Sequence, residues 1–116
     1  MAIEQILSKL ADVEGVQGVF VVSKDGLILD SVGSLSVDLT SIAAIASSGL
    51  GSAEVLGETA ALGGLDQEIL EFKNGKAVIQ SINQRLLLCM IASKQANLGM
   101  IRYTIDKEIE SIRTTL

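Results

Sequence analysis

Histidine, proline and tryptophan are absent from this chain, and cysteine occurs once in 116 residues. Without histidine the commonest general base is missing. Cys89 alone can form neither an internal disulfide nor, lacking a histidine partner, a Cys/His metal constellation. Positive charge is scarce as well: nine Lys and Arg stand against fourteen Asp and Glu, a formal net charge of −5, and no basic cluster interrupts that balance. Phosphate binding needs a local positive field, so nucleic acid is not an expected partner. No Gly-x-x-x-x-Gly-Lys-Ser/Thr loop occurs, which excludes a P-loop nucleotidase. Uninterrupted apolar runs fall far short of the roughly 20 residues that span a bilayer. The start, Met-Ala-Ile-Glu-Gln-Ile, lacks the basic and apolar regions of a secretory signal. Direct membrane insertion is therefore not expected, and a cytoplasmic location is.

The most informative segment present is residues 37–62, a stretch of small and aliphatic residues with Asp38, Glu54 and Glu58 as its only charges. As one helix it would be about 40 Å long. Leu39, Ile42, Ala46, Gly49, Leu50, Ala53 and Leu56 recur at helical spacing. Gly49, Gly51 and Gly57 would each cost about 1 kcal/mol in a helix interior, which makes sense chiefly where another backbone comes very close. The segment reads as an interface helix.

Around it the order of elements is legible. Ile3, Ile6, Leu7, Leu10 and Val13 mark a first amphipathic helix ending near Gly15. The apolar run from Val19 turns at Asp25-Gly26 into Leu27-Ile28-Leu29, a strong hairpin signal. Ser36 is the expected N-cap of the long helix, with Asp38 well placed for its dipole, and Gly63-Gly64 is its expected stop. A second hairpin runs from Glu68 through Phe72, turns at Asn74-Gly75 and returns to Ile82; a short Asn83-Gln84 link leads into the run Leu86 to Ala92. From Asn97, a second expected N-cap, a last helix carries Leu98, Ile101, Ile105, Ile109, Ile112 and Leu116 on one stripe. The first and fifth strands are apolar at nearly every position, which marks them as covered on both faces and central. With the hairpins this gives an α/β protein of the α+β kind, α-β-β-α-β-β-β-α. One domain over residues 1–116 holds a five-stranded antiparallel sheet of order 2-1-5-4-3, the long helix on one face and the two terminal helices on the other. Strand three is then an unpaired edge and the long helix is apolar beyond one sheet contact; a twofold partner would satisfy both.

The element order, Val16-Gln17-Gly18-Val19 before strand one, the Asp25-Gly26 hairpin, the small-residue central helix and Asn97-Leu98-Gly99-Met100-Ile101-Arg102 together resemble the Roadblock family, the dynein light-chain type with a profilin-like architecture. The resemblance covers essentially the whole chain and is closest to stand-alone prokaryotic members, which act as dimeric regulators of small Ras-like GTPases. It implies a homodimer through the long helix and the edge strand, with Leu39, Ile42, Ala46, Gly49 and Ala53, and Glu68, Ile69, Leu70, Glu71 and Phe72, at the twofold contact. It implies further a GTPase-facing surface built from both long helices, to which Ser41, Ser48, Ser52 and Glu54 would contribute. No cofactor and no metal is implied.

An enzyme is not expected. Cys89 falls within apolar strand five, where burial would keep the thiol neutral, and the carboxylates show no general acid and base couple. Arg85 and Arg102 are the candidates for an arginine offered to a GTPase, with solvated or ion-paired charge the commoner fate of each. Two other readings stay open: a structural scaffold subunit of a motility or trafficking complex, and a PAS-like or profilin-like small-molecule sensor. For the sensor, Phe20, Phe72 and Tyr103 are few aromatics with which to line a pocket.

Overall fold

A computed structural model describes residues 2–116. Its elements are α1 (Ile3–Ala11), β1 (Val16–Ser23), β2 (Ile28–Gly33), α2 (Leu39–Thr59), β3 (Gln67–Phe72), β4 (Gly75–Ser81), β5 (Leu86–Ser93) and α3 (Leu98–Thr115). The strands form one antiparallel sheet of order β2-β1-β5-β4-β3, the order expected from the all-apolar strands.

Because successive side chains on a strand point to opposite faces, β1 and β5 divide their residues between two cores. Val19, Val21, Leu88 and Met90 pack with Ile6, Leu7 and Leu10 of α1 and with Ile101, Ile105, Ile109 and Ile112 of α3. Phe20, Val22, Leu87 and Cys89 pack with Ala43, Ala46 and Leu50 of α2. Two helices thus cover one face and a single helix covers the other. On the two-helix face Lys9 reaches the buried Glu108 at 3.4 Å, joining α1 to α3.

The boundaries of α2 differ from the sequence expectation at both ends. Asp38, not Ser36, is the N-cap: its carboxylate accepts from the Thr40 and Ser41 amides and from the Ser41 hydroxyl, satisfying donors that the first turn leaves free. These bonds, the Ser41 hydroxyl foremost, hold its carboxyl below the ordinary aspartate range. At the other end the helix stops before Gly63-Gly64. Ala61 takes a left-handed conformation, φ 57°, while Leu62 N donates to Gly57 O at 2.8 Å and Ala61 N to Glu58 O at 3.1 Å. This is a Schellman closure with alanine where glycine is usual.

The two hairpins use glycine differently. Gly26 has φ +92° and its turn fits the expectation. The second turn is made by Lys73 and Asn74, with Gly75 already paired opposite Phe72 and no positive φ at either position. Gly75 is small because a Cβ there would sit 2.7 Å from the Ala92 carbonyl oxygen on the neighbouring strand.

Candidate functional site

Between α2 and edge strand β3 lies an apolar groove of about 270 Å³. From α2 it is lined by Ile42, Ile45, Ala46 and Gly49, from β3 by Glu68, Leu70 and Phe72, and its floor is Ala77, Ile79, Cys89 and Ile91. Strand alternation explains the β3 contribution: Glu68, Leu70 and Phe72 face α2, while Ile69 packs on the opposite core. Ile45 is 71% and Phe72 61% exposed, and large apolar side chains at such exposure within one contiguous surface mark an interaction site.

The residues expected at a twofold contact divide into two sets. Ile42, Ala46, Gly49, Glu68, Leu70 and Phe72 come together around the groove. Leu39 packs against the core beneath α2, and Ala46, although it reaches the groove, is itself buried in that core. Ala53 lines an adjoining hollow beside Leu56, Leu62 and Glu68. Glu71 is exposed on the Ile69 side of the strand. Sequence reasoning passed over Ile45, the most exposed residue of the groove, and Val55 and Leu62, both also exposed. Aliphatic residues occur around the whole circumference of α2, so periodicity alone does not distinguish its open flank from its packed one.

The three helix glycines have separate explanations. A Cβ on Gly57 would meet the Gly63 carbonyl oxygen at 3.0 Å, so the close backbone is the chain's own returning loop. Gly51 faces open space. At Gly49 a Cβ would meet, beyond its own helix, Glu68 Oε1 at 3.9 Å, and its missing side chain leaves the groove open.

The edge strands differ. β2 changes register between Val21 and Val22 of its neighbour, leaving Leu29 as an unpaired bulge residue; bulges twist an edge away from further pairing. β3 runs in unbroken register with β4 from Gln67 to Phe72 and, among the described residues, pairs with nothing on its outer side. The side-chain oxygens Gln67 Oε1 and Glu68 Oε1, on opposite faces of this strand, are buried without a hydrogen-bond partner. Burial pushes the Glu68 carboxyl above its ordinary range.

Of the residues assigned to a GTPase-facing surface, Ser41, Ser48 and Ser52 are exposed on α2, though the Ser41 hydroxyl is engaged by Asp38 at 2.7 Å. Glu54 turns instead to the β1–β2 turn, where it pairs with Lys24 at 3.2 Å. Ser47 donates its hydroxyl to the Lys24 carbonyl and Gly26 packs against Ala44, so the turn is fastened along the flank of α2 away from the groove. Arg85 and Arg102 are both exposed, and Arg102 lies on α3, across the sheet from α2. Cys89 is buried, and burial pushes its thiol up to about 12, so it is neutral near pH 7. By length and composition α2 could cross a membrane, with mean hydropathy 1.3 over its most apolar 18 residues, yet Ala43, Ala46 and Leu50 pack it onto the sheet.

Comparison with known proteins accounts for this architecture. The model of the Roadblock/LC7 domain matches residues 2–92. The uncharacterized protein MJ1340 of Methanocaldococcus jannaschii is 34% identical over 111 residues, 96% of each chain. Among solved structures, a Roadblock/LC7 domain from Streptomyces avermitilis superposes with TM-score 0.88 at 19% identity, over 98% of this chain and 97% of that one. MglB of Myxococcus xanthus superposes with TM-score 0.86 at 20% identity, over 95% and 93%. The chain belongs to the Roadblock/LC7 family.

Proposed function

We propose that the protein is a non-catalytic binding module that pairs with a second copy of itself across the α2/β3 groove, and that the paired α2 helices form a platform for a small Ras-like GTPase. The observation that carries this reading is the groove beside an unbulged, unpaired edge strand. A second β3 running antiparallel would continue the sheet and satisfy its outer backbone groups, while Ile45 and Phe72 would leave water. Each such side chain contributes roughly 1.5–3 kcal/mol when fully buried, so a few of them supply a large part of the stability of a pair. The GTPase half of the reading is supported by family membership, since the prokaryotic members the chain resembles act as dimeric regulators of such switches. Ser48 and Ser52, exposed on α2, would lie on the outward side of the platform.

Titration of the protein into a Ras-like GTPase from the same cell, following both binding and phosphate release, tests this. Binding with altered phosphate release is expected, and Phe72→Asp, which places a charge in the groove, is expected to abolish the effect by about tenfold or more together with self-association. Binding with unchanged hydrolysis favours a scaffold. No binding to any such GTPase overturns the platform.

A further inference from the structure

Glu68 is the one carboxylate that lines the groove, and it also lines the adjoining hollow beneath residues 62–65. Its Oε1 is buried in the protomer and has no hydrogen-bond partner. The elements that face it offer no compensation. α2 and the loop after it contribute only aliphatic residues and glycines to these linings, β4 contributes Ala77 and Ile79, and β5 contributes Ile91 and the neutral Cys89 thiol. On its own strand Gln67 donates to Gln80. Glu54 is paired with Lys24, and Glu58, Asp66, Glu71 and Lys73 lie outside both linings. Among the described residues no cation reaches Glu68 within ion-pair distance.

We propose that the pairing of two copies across this groove is proton-linked, with Glu68 taking up a proton as the second copy covers it. The inference rests on the self-association proposed above. A carboxylate left charged in an apolar, water-excluded seam carries a far larger unmet desolvation cost than the neutral acid, which can also donate a hydrogen bond. Burial already raises the Glu68 carboxyl above its ordinary value in the single copy, and coverage by a partner adds to the same effect. The sign follows from linkage: the group binds its proton more tightly in the pair than in the free protomer. Pairing is therefore strongest below the free protomer's value and weakens as pH rises through the higher value of the pair.

Sedimentation of the full chain in a dilution series, at pH values from about 5 to about 7.5, reads this directly. The dissociation constant should rise with pH by about tenfold for each unit by which pairing lifts one Glu68, counted once per copy. Glu68→Gln should flatten this dependence and pair more tightly than the parent at the upper end. Glu71→Gln removes one charge from the opposite side of the same strand and should keep the slope, which separates Glu68 from general repulsion between two chains of net charge −5. A slope that survives Glu68→Gln, or that Glu71→Gln removes equally, overturns the inference. If Phe72→Asp splits the pair while Glu68→Gln keeps the slope, only the proton linkage fails. A parent chain that is single at every pH overturns the pairing as well.

Discussion

Asp38 shows how much one side chain does at the start of α2. It accepts three hydrogen bonds from the first turn, all of which favour its charged form, and its carboxyl titrates below the ordinary aspartate range. A group so depressed contributes stability that is complete above its unfolded value and lost as pH falls through its folded one. Urea midpoints of the parent and of Asp38→Ala should accordingly differ fully above about pH 4 and converge below it; a gap that stays constant down to pH 2 would contradict the capping role. The residue was visible in the sequence as an acid suited to the helix dipole. Its role as the cap was not, because Ser36 is an equally good N-cap residue by type and only the backbone path decides between them. Cys89 is the converse case: an apolar strand on both sides of it was enough to foresee a buried thiol.

At the scale of elements, the sheet was legible because burial on both faces leaves a mark in composition. β1 and β5 are apolar almost throughout, so they had to be central, and the hairpins then fixed the remaining order. Turn chemistry was legible at Gly26, where a positive φ demands glycine, and misleading at Gly75, where glycine answers to a neighbouring strand rather than to the turn. The end of α2 escaped for a related reason. Gly63-Gly64 carries the sequence signal, but Ala61 adopts the left-handed conformation two residues earlier, held by the Leu62-to-Gly57 bond. An alanine in that conformation stores strain that glycine does not. Ala61→Gly should therefore raise stability by about 0.5–1 kcal/mol, read as a higher urea midpoint with an unchanged slope. A loss of stability would show that the closure is not strained.

At the scale of the whole molecule, one side of the sheet is sealed by two helices and the other is half covered. α1 and α3 close over one core, whereas α2 alone leaves Ile45, Leu70 and Phe72 open beside an unbulged edge strand. The sequence pointed to these two elements and, within them, to Ile42, Gly49, Glu68, Leu70 and Phe72, which line the groove, but it passed over Ile45. Leu39 and Ala46 pack into the protomer's own core and Gly57 against its own loop, while the open flank runs from the expected Gly49 to the unforeseen Ile45. This exposed seam is the surface that the proposed second copy would cover. Gly49→Leu probes it most cleanly, because a Cβ there meets nothing beyond its own helix closer than Glu68 Oε1 at 3.9 Å, so the added side chain projects into the groove. Light scattering at low micromolar concentration should give the parent chain twice the 12.2 kDa of one copy and Gly49→Leu a mass moving towards that of one copy, with far-ultraviolet circular dichroism unchanged. A parent chain of single mass, or a Gly49→Leu variant that pairs as the parent does, would contradict it.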